Sequence, residues 1–245
     1  MTDSVVIIPT YNEVGNIENT LKKIENLEVD FDIMIIDDNS PDGTADLINK
    51  IIESKKIKNN IKLINRGKKS GLGSAYVYGF KNAIKQKYNY IFQLDCDGSH
   101  DPKSLIKLRK ALINKKTDIV VGSRYIKGIT VINWPLSRLL ISIFANIYVK
   151  LITGLKITDS TGGFNGYNIK ALSSILKNKI YFEGYAFQIQ MKFIGNKLNY
   201  RLLEIPIIFK DREIGESKMS FKIFEEAFFG ILLMKIKSFM SKYKS

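Results

Sequence analysis

Five short runs dominated by β-branched and aromatic residues, Val5–Ile8, Ile33–Ile36, Ile61–Ile64, Tyr90–Leu94 and Ile119–Val121, constrain the fold more than any other feature of this chain. Polar turn residues close the runs, and after the early ones apolar residues recur at helical spacing, as at Ile17, Leu21, Ile24 and Leu27. Strands with no polar alternation are covered on both faces, and strands alternating with amphipathic helices pair in parallel. The fold class is therefore α/β. In an open sheet of this kind ligands bind in the crevice beyond the carboxyl ends of the strands. That rule places Tyr11, Glu13, Asp37, Asp38, Asp95 and Asp97 along one functional rim.

The rim is densest at Tyr90–Pro102, Y-I-F-Q-L-D-C-D-G-S-H-D-P. Asp95 and Asp97 are one residue apart at a strand end, and extended geometry turns both side chains to the same side. Such a pair suits a hard divalent cation, Mg2+ or Mn2+, shared with the oxygens of a diphosphate. No G-x-G-x-x-G follows the first strand and no G-x-x-x-x-G-K-[ST] occurs, so a diphosphate must be held by metal and basic side chains. A lone D-x-D is also compatible with an ordinary polar turn.

The chain has 245 residues, the size of one domain, and its hydrophobic fraction of 45% is that of a folded protein. One cysteine, Cys96, excludes internal disulfides and Cys-based zinc sites and suits a reducing cytoplasm. Flanked by two carboxylates, it reads as a small filler and not as a reactive thiol. The net charge of +14 points to anionic partners, although many lysines look like solvated helix faces. The N-terminus enters a strand directly, so no signal peptide is expected. The longest apolar runs, Leu139–Val149 and Ala227–Met234, are shorter than the ~20 residues needed to cross a bilayer.

In the second half, Trp134–Leu155 reads as one apolar helix containing Arg138 and Lys150, and Asp159–Phe164 as a loop. Gly184–Ile194 reads as a helix, and Tyr200–Phe209 as an edge strand because it contains Pro206. The helix after Gly71-Leu72-Gly73 presents Leu72, Tyr76, Gly79 and Ala83 on one face. A lone Arg138 in an apolar helix is costly unless it is paired or faces a cavity, which favours a functional role.

The motifs occur in a telling order: I-P-T-Y-N-E at Ile8–Glu13, I-D-D-N-S-P-D-G-T at Ile36–Thr44, G-L-G-S-A-Y at Gly71–Tyr76, D-C-D-G-S-H-D-P at Asp95–Pro102 and G-S-R-Y at Gly122–Tyr125. W-P-L-S-R at Trp134–Arg138, G-Y-A-F-Q at Gly184–Gln188 and D-R-E-I-G-E-S-K-M at Asp211–Met219 follow. From Val5 to about Met234 the chain resembles the family 2 glycosyltransferases of GT-A fold, a Rossmann-like, mostly parallel central sheet flanked by helices. Within them it resembles the polyprenyl-phosphate or dolichyl-phosphate mannose synthases. The resemblance implies nucleotide-sugar contacts from Pro9, Tyr11, Glu13, Asp38, Asp95 and, by its place in the motif, Cys96. It implies Asp97 as the main metal ligand with Asp95, and Arg212 and Lys218 as catalytic cations at the phosphates. Arg124, Arg138 and Ser142 would bind the acceptor phosphate. Three positions depart from the family pattern. Ser99 is a weaker metal ligand that leaves room for water, Asn165 removes a phosphate contact, and Gln190 replaces an acid.

The implied reaction moves mannose from GDP-mannose to a polyprenyl phosphate with inversion. The acceptor phosphate is already anionic, its second pKa being ~6 for comparable monoesters, so no strong base is needed. His100, the only histidine, reads as a turn residue or a support for the site. Residues 1–216 form the catalytic domain, nucleotide half about 1–125 and acceptor half about 126–216; residues 217–245 form a C-terminal amphipathic segment able to lie on a membrane surface. The expectation is a peripheral enzyme on the cytoplasmic membrane face, partnered by nucleotide sugar and lipid. A UDP-sugar donor or a polysaccharide acceptor fits the same fold. The acidic rim argues against nucleic acid.

Overall fold

The computed structural model describes residues 2–114, 117–211, 221–240 and 243–244. Its elements are β1 (Ser4–Thr10), α1 (Ile17–Glu25), β2 (Asp32–Asp37), α2 (Thr44–Ser54), β3 (Ile61–Asn65), α3 (Leu72–Lys85), β4 (Tyr90–Gln93), α4 (Ser104–Ile113) and β5 (Ile119–Ser123). The second half adds β6 (Val131–Ile132), α5 (Leu136–Thr153), β7 (Asn165–Asn168), α6 (Ile169–Leu176), α7 (Tyr185–Lys197), β8 (Leu202–Pro206), β9 (Phe209–Lys210) and α8 (Phe221–Met240).

Seven strands form one sheet in the order β3-β2-β1-β4-β7-β5-β8, and β6 pairs with β9 in a separate ribbon. All pairings in the large sheet are parallel except those of β7, which runs antiparallel to both β4 and β5. The central strands β1 and β2 are buried along almost their whole length, as continuous apolar runs require. One face packs on α1, α2 and α4 through Leu21, Ile48 and Leu105, and the other on α3, α6 and α7 through Phe80, Leu172 and Phe187. Each buried Ile or Leu contributes about 1.5–3 kcal/mol.

Several expectations change. No strand is expected at Asn165–Asn168, because N-G-Y-N carries one aromatic and no β-branched residue. It is a strand because Gly166 lets Phe92 and Val120 close over it; a Cβ there would lie 2.6 Å from the Phe92 ring. The expected strand Tyr200–Phe209 divides into β8, which is indeed a sheet edge, and β9. Leu72 is exposed, while Tyr76, Gly79 and Ala83 face the sheet. Finally, α5 is long and apolar enough to cross a bilayer by length and composition, and only 17% of it is buried. The sequence reading missed this because Arg138 and Lys150 break the apolar run without breaking the helix.

Candidate active site

At the carboxyl ends of β4 and β5 a cavity of about 430 Å³ opens, with α5 and α8 forming its outer wall. Five of the residues given a catalytic, binding or metal role in the sequence line it, Asp95, Asp97, Arg124, Arg138 and Ser142, together with Ser99 and His100. The turn that carries the two acids is tight. Gly98 has φ +73°, a left-handed conformation that glycine adopts without strain, and Ser99 N–H donates to Asp97 Oδ1 at 3.0 Å. Tyr76 O–H donates to Asp95 Oδ1 at 2.7 Å, and burial beside Asp95 raises the phenol pKa well above its ordinary value, so it stays a donor. A Cβ on Gly163 would lie 3.4 Å from Asp95 Oδ2, so the loop after Asp159 closes directly on this carboxylate.

Arg124 is fixed from behind. Its Nε and Nη2 donate to Asp159 at 2.7 and 2.6 Å, and Nη2 also reaches Thr161 Oγ1 at 2.7 Å. Asp159 is fully buried; desolvation alone would raise its pKa, but the Arg124 charge and hydrogen bonds hold it below the ordinary carboxylate value. A bidentate pair of this kind fixes both the position and the plane of the guanidinium. Lys192, also fully buried, donates from Nζ to the Ser160 and Gly162 carbonyls at 3.0 and 2.7 Å. Asn146 of α5 accepts from Ser160 N–H and O–H at 2.7 and 2.8 Å, which ties the helix to the same loop.

Arg138 donates to Asp211 at 2.7 Å and stacks on Trp134 with 4.2 Å from guanidinium to ring centre. That resolves the cost of a charge in an apolar helix by pairing and stacking at the cavity. Tyr125 O–H donates to Ser142 Oγ at 2.7 Å. His100 is buried between Phe164 and Phe209, each with ring centres 5.0 Å away, and burial lowers its pKa, favouring the neutral form.

Among the described residues, Pro9, Tyr11, Glu13, Asp38 and Cys96 form a second group that does not line this cavity. Pro9 ends the apolar run of β1, Tyr11 lies just beyond that strand under Lys69 Nζ at 4.0 Å, and Glu13 accepts from Asn16 Nδ2 at 2.8 Å. Asp38 accepts from Arg66 Nε at 2.6 Å and Ser70 N–H at 3.0 Å, so it anchors the 66–70 loop beside β2. Cys96 turns into the core beneath α1, where its carbonyl accepts from Thr20 O–H at 3.1 Å. That is the filler role read from its flanks, and the thiol is not directed at the cavity. Arg212 and Lys218 lie outside the described residues. Asn165 is fully buried and bonds Gln93 and Gln188, each at 3.0 Å; Gln190 accepts from Tyr181 N–H at 2.9 Å and holds that loop. The sequence reading missed Tyr76, Asp159, Gln188 and Lys192. The first three stood in quoted motifs or loops, but nothing marked Lys192.

Among the described residues no group of three or more His, Cys, Asp or Glu side chains gathers to hold a metal. Asp95 and Asp97 fit a hard cation that takes its other ligands from a diphosphate and water. Ser99 Oγ, buried at the cavity with no hydrogen-bond partner, offers one further oxygen.

The family model for glycosyl transferase family 2 matches residues 5–176, most of the chain. The chain belongs to that family. An undecaprenyl-phosphate mannosyltransferase of Micrococcus luteus is 38% identical over 91% of this transferase and 90% of its own length. A polyprenol monophosphomannose synthase of Mycolicibacterium smegmatis is 36% identical over 93% of this chain and 85% of its own. The fold matches glucosyl-3-phosphoglycerate synthase of Mycobacterium tuberculosis, solved with Mn2+, UDP and glucosyl-3-phosphoglycerate, at TM-score 0.66, 15% identity, 94% of this chain and 78% of that one. It also matches a mannosyltransferase of Pyrobaculum calidifontis, solved with GDP-Man and Mn2+, at TM-score 0.64, 16% identity, 99% of this chain and 66% of that one. The transferase thus has the GT-A fold expected of it, and two solved proteins of that fold hold Mn2+ with a nucleotide or nucleotide sugar.

Proposed function

We propose that this transferase moves mannose from GDP-mannose to a polyprenyl phosphate, with inversion, using Mg2+ or Mn2+ at Asp95 and Asp97. The observation that carries this reading is a single cavity with two acids and two arginines at its floor and an exposed apolar wall. Arg124 and Arg138 meet the carboxylates there, while α5 and α8 lead outward through Phe144, Ile147 and Phe228. The relatives named for undecaprenyl and polyprenol phosphates support the acceptor, and those named for mannose support the sugar.

An acceptor phosphate oxygen attacks the anomeric carbon, the bond to the diphosphate breaks, and the nucleoside diphosphate leaves with the electron pair. No proton is transferred, which suits a cavity whose one imidazole is buried and inclined to neutrality. Arg124, held rigid by Asp159, and Arg138, held on Trp134, orient the acceptor anion; fixed cations stabilise charge without reorganising as it moves. Tyr76 holds Asp95 in place. A divalent cation, when bound, supplies charge neutralisation at the leaving diphosphate. We assign Arg212 and Lys218 to the same phosphates by their motif, and Pro9, Tyr11, Glu13 and Asp38 to the base and ribose.

Because Arg138 is tied to Asp211 and Asn146 to Ser160, α5 is attached along its length, and its exposed face suits the bilayer surface better than a span. The protein is then peripheral, on the cytoplasmic face. The deciding assay offers GDP-mannose, UDP-glucose and UDP-mannose to undecaprenyl and dolichyl phosphates, and extracts lipid product with metal or with EDTA. Transfer from GDP-mannose alone, abolished by EDTA, is expected. Equal use of UDP-glucose, or transfer unaffected by EDTA, would contradict the donor or the metal.

A further inference from the structure

Behind the acids lies a buried chain of amides whose orientation is dictated by the backbone. Asn165 Nδ2 lies 3.1 Å from the Gly162 carbonyl, which can only accept, and 3.0 Å from both Gln93 Oε1 and Gln188 Oε1. The carbonyl fixes which end of the Asn165 amide faces the cluster, so both glutamines turn their oxygens to it. Tyr167 O–H donates to the same Gln93 oxygen at 3.1 Å, and burial raises the phenol pKa, so it too stays a donor. Gln188, its oxygen held by Asn165, is left to present Nε2 as a donor on its other side. The side chain is 3% exposed, and among the described residues that buried Nε2 has no hydrogen-bond partner. An N–H shut away from water in this state is costly until a ligand or a trapped water accepts from it.

The place of Gln188 selects the acceptor of that bond. Gln188 lines the active-site cavity, whereas Gln93 and Asn165, which also carry a buried atom without a partner, do not. A Cβ on Gly163 would lie 3.4 Å from Asp95 Oδ2 and 3.6 Å from Gln188 Nε2, so the glycine lets both atoms approach one small space. Anions in this cavity are matched by Arg124 and Arg138, whose charged hydrogen bonds to phosphate are stronger than those of an amide. A neutral donor suits a neutral oxygen. Base and ribose are assigned to residues outside the cavity, which leaves the hydroxyls of the transferred sugar. We infer that Gln188 reads the donor sugar, its Nε2–H donating to one sugar hydroxyl and so discriminating against a sugar without that hydroxyl. Asn165 is then the positioning residue that aims it. The inference rests on the nucleotide-sugar reading above and adds to it a residue that selects the sugar.

The test compares the full chain with its Gln188→Met and Gln188→Leu variants, each verified as folded, in transfer to undecaprenyl phosphate from GDP-mannose and from its monodeoxy forms. Either variant removes the donor, and Asn165 keeps the Gln93 and Gly162 oxygens for its two amide hydrogens. Affinity for GDP with Mn2+, a ligand that lacks the sugar, is measured by calorimetry in parallel. A site built to bond a hydroxyl rejects the analogue without it, so one deoxy donor should lower wild-type kcat/KM at least about tenfold. The same deoxygenation should change either variant less than about threefold, and GDP affinity should stay within about threefold throughout. A wild type that uses every deoxy donor as well as GDP-mannose overturns the inference whether or not the variants fold. Variants as selective as wild type assign Nε2 to a trapped water and overturn it, and a matching loss of GDP affinity makes Gln188 merely structural. Should wild type prefer another nucleotide sugar, the donor reading fails, while the deoxy forms of that sugar put the same question to Gln188. No turnover with any nucleotide sugar overturns both.

Discussion

Lys192 shows most clearly what a residue's surroundings add to its identity. In a lysine-rich chain, on a predicted helix, it reads as one more solvated cation. In the fold it is wholly buried beneath the loop that orients Arg124, and burial pushes its pKa down to about 7 from an ordinary 10.5, against the opposing pull of Asp159. The unfolded chain keeps its proton up to about 10.5, so between those values the unfolded state binds more protons and stability rises with pH. Below the folded pKa the full cost of the buried charge is present. The neutral amine still donates to both carbonyls, so the loop is not released. Wild type should therefore gain roughly 2 kcal/mol between pH 7 and 9 in urea melts, and Lys192→Met should show a much flatter profile. A rise of the same size in the variant would assign it to other groups. Asp95 and Asp97 were legible because a strand end aims them outward; Asp159 was not, because its role depends on Arg124, 35 positions away in sequence.

At the scale of elements, the buried parallel strands and their helices were legible because their apolar runs have no other stable use. Strand β7 was not, since Gly166 is there for a close approach that only the packed sheet reveals. Helix α5 was recognised, but not its exposure. Leu136, Phe144 and Leu151 are 69%, 66% and 77% exposed, an apolar stripe too large for an ordinary surface. Phe144→Glu/Leu151→Glu should leave the melting temperature nearly unchanged, because neither side chain packs in the core. The same variant should bind phosphatidylcholine vesicles at least about tenfold more weakly, two large side chains being worth roughly 1.5–3 kcal/mol each on burial. Unchanged vesicle binding would remove α5 from the membrane contact.

At the scale of the whole molecule, the proposed transfer site is a polar cluster at the inner end of an apolar groove. The sheet supplies the acids, the loop at Asp159 and helix α5 supply the fixed cations, and α5 with α8 supplies the wall. The net charge of +14 suits the proposed reaction, because both the donor diphosphate and the acceptor monophosphate are anions. Sequence alone conveyed the charge and the acids but not their convergence, which depends on β4 and β5 lying on either side of β7. The most direct measurement is lipid-extractable product formed from labelled GDP-mannose and undecaprenyl phosphate by Asp97→Asn beside wild type, both with Mn2+ and both verified as folded. Loss of about 100-fold or more is expected, the scale on which removing a preorganised charge at a transition state acts. Activity within a few-fold of wild type would contradict the assignment of the acidic pair to the transfer site.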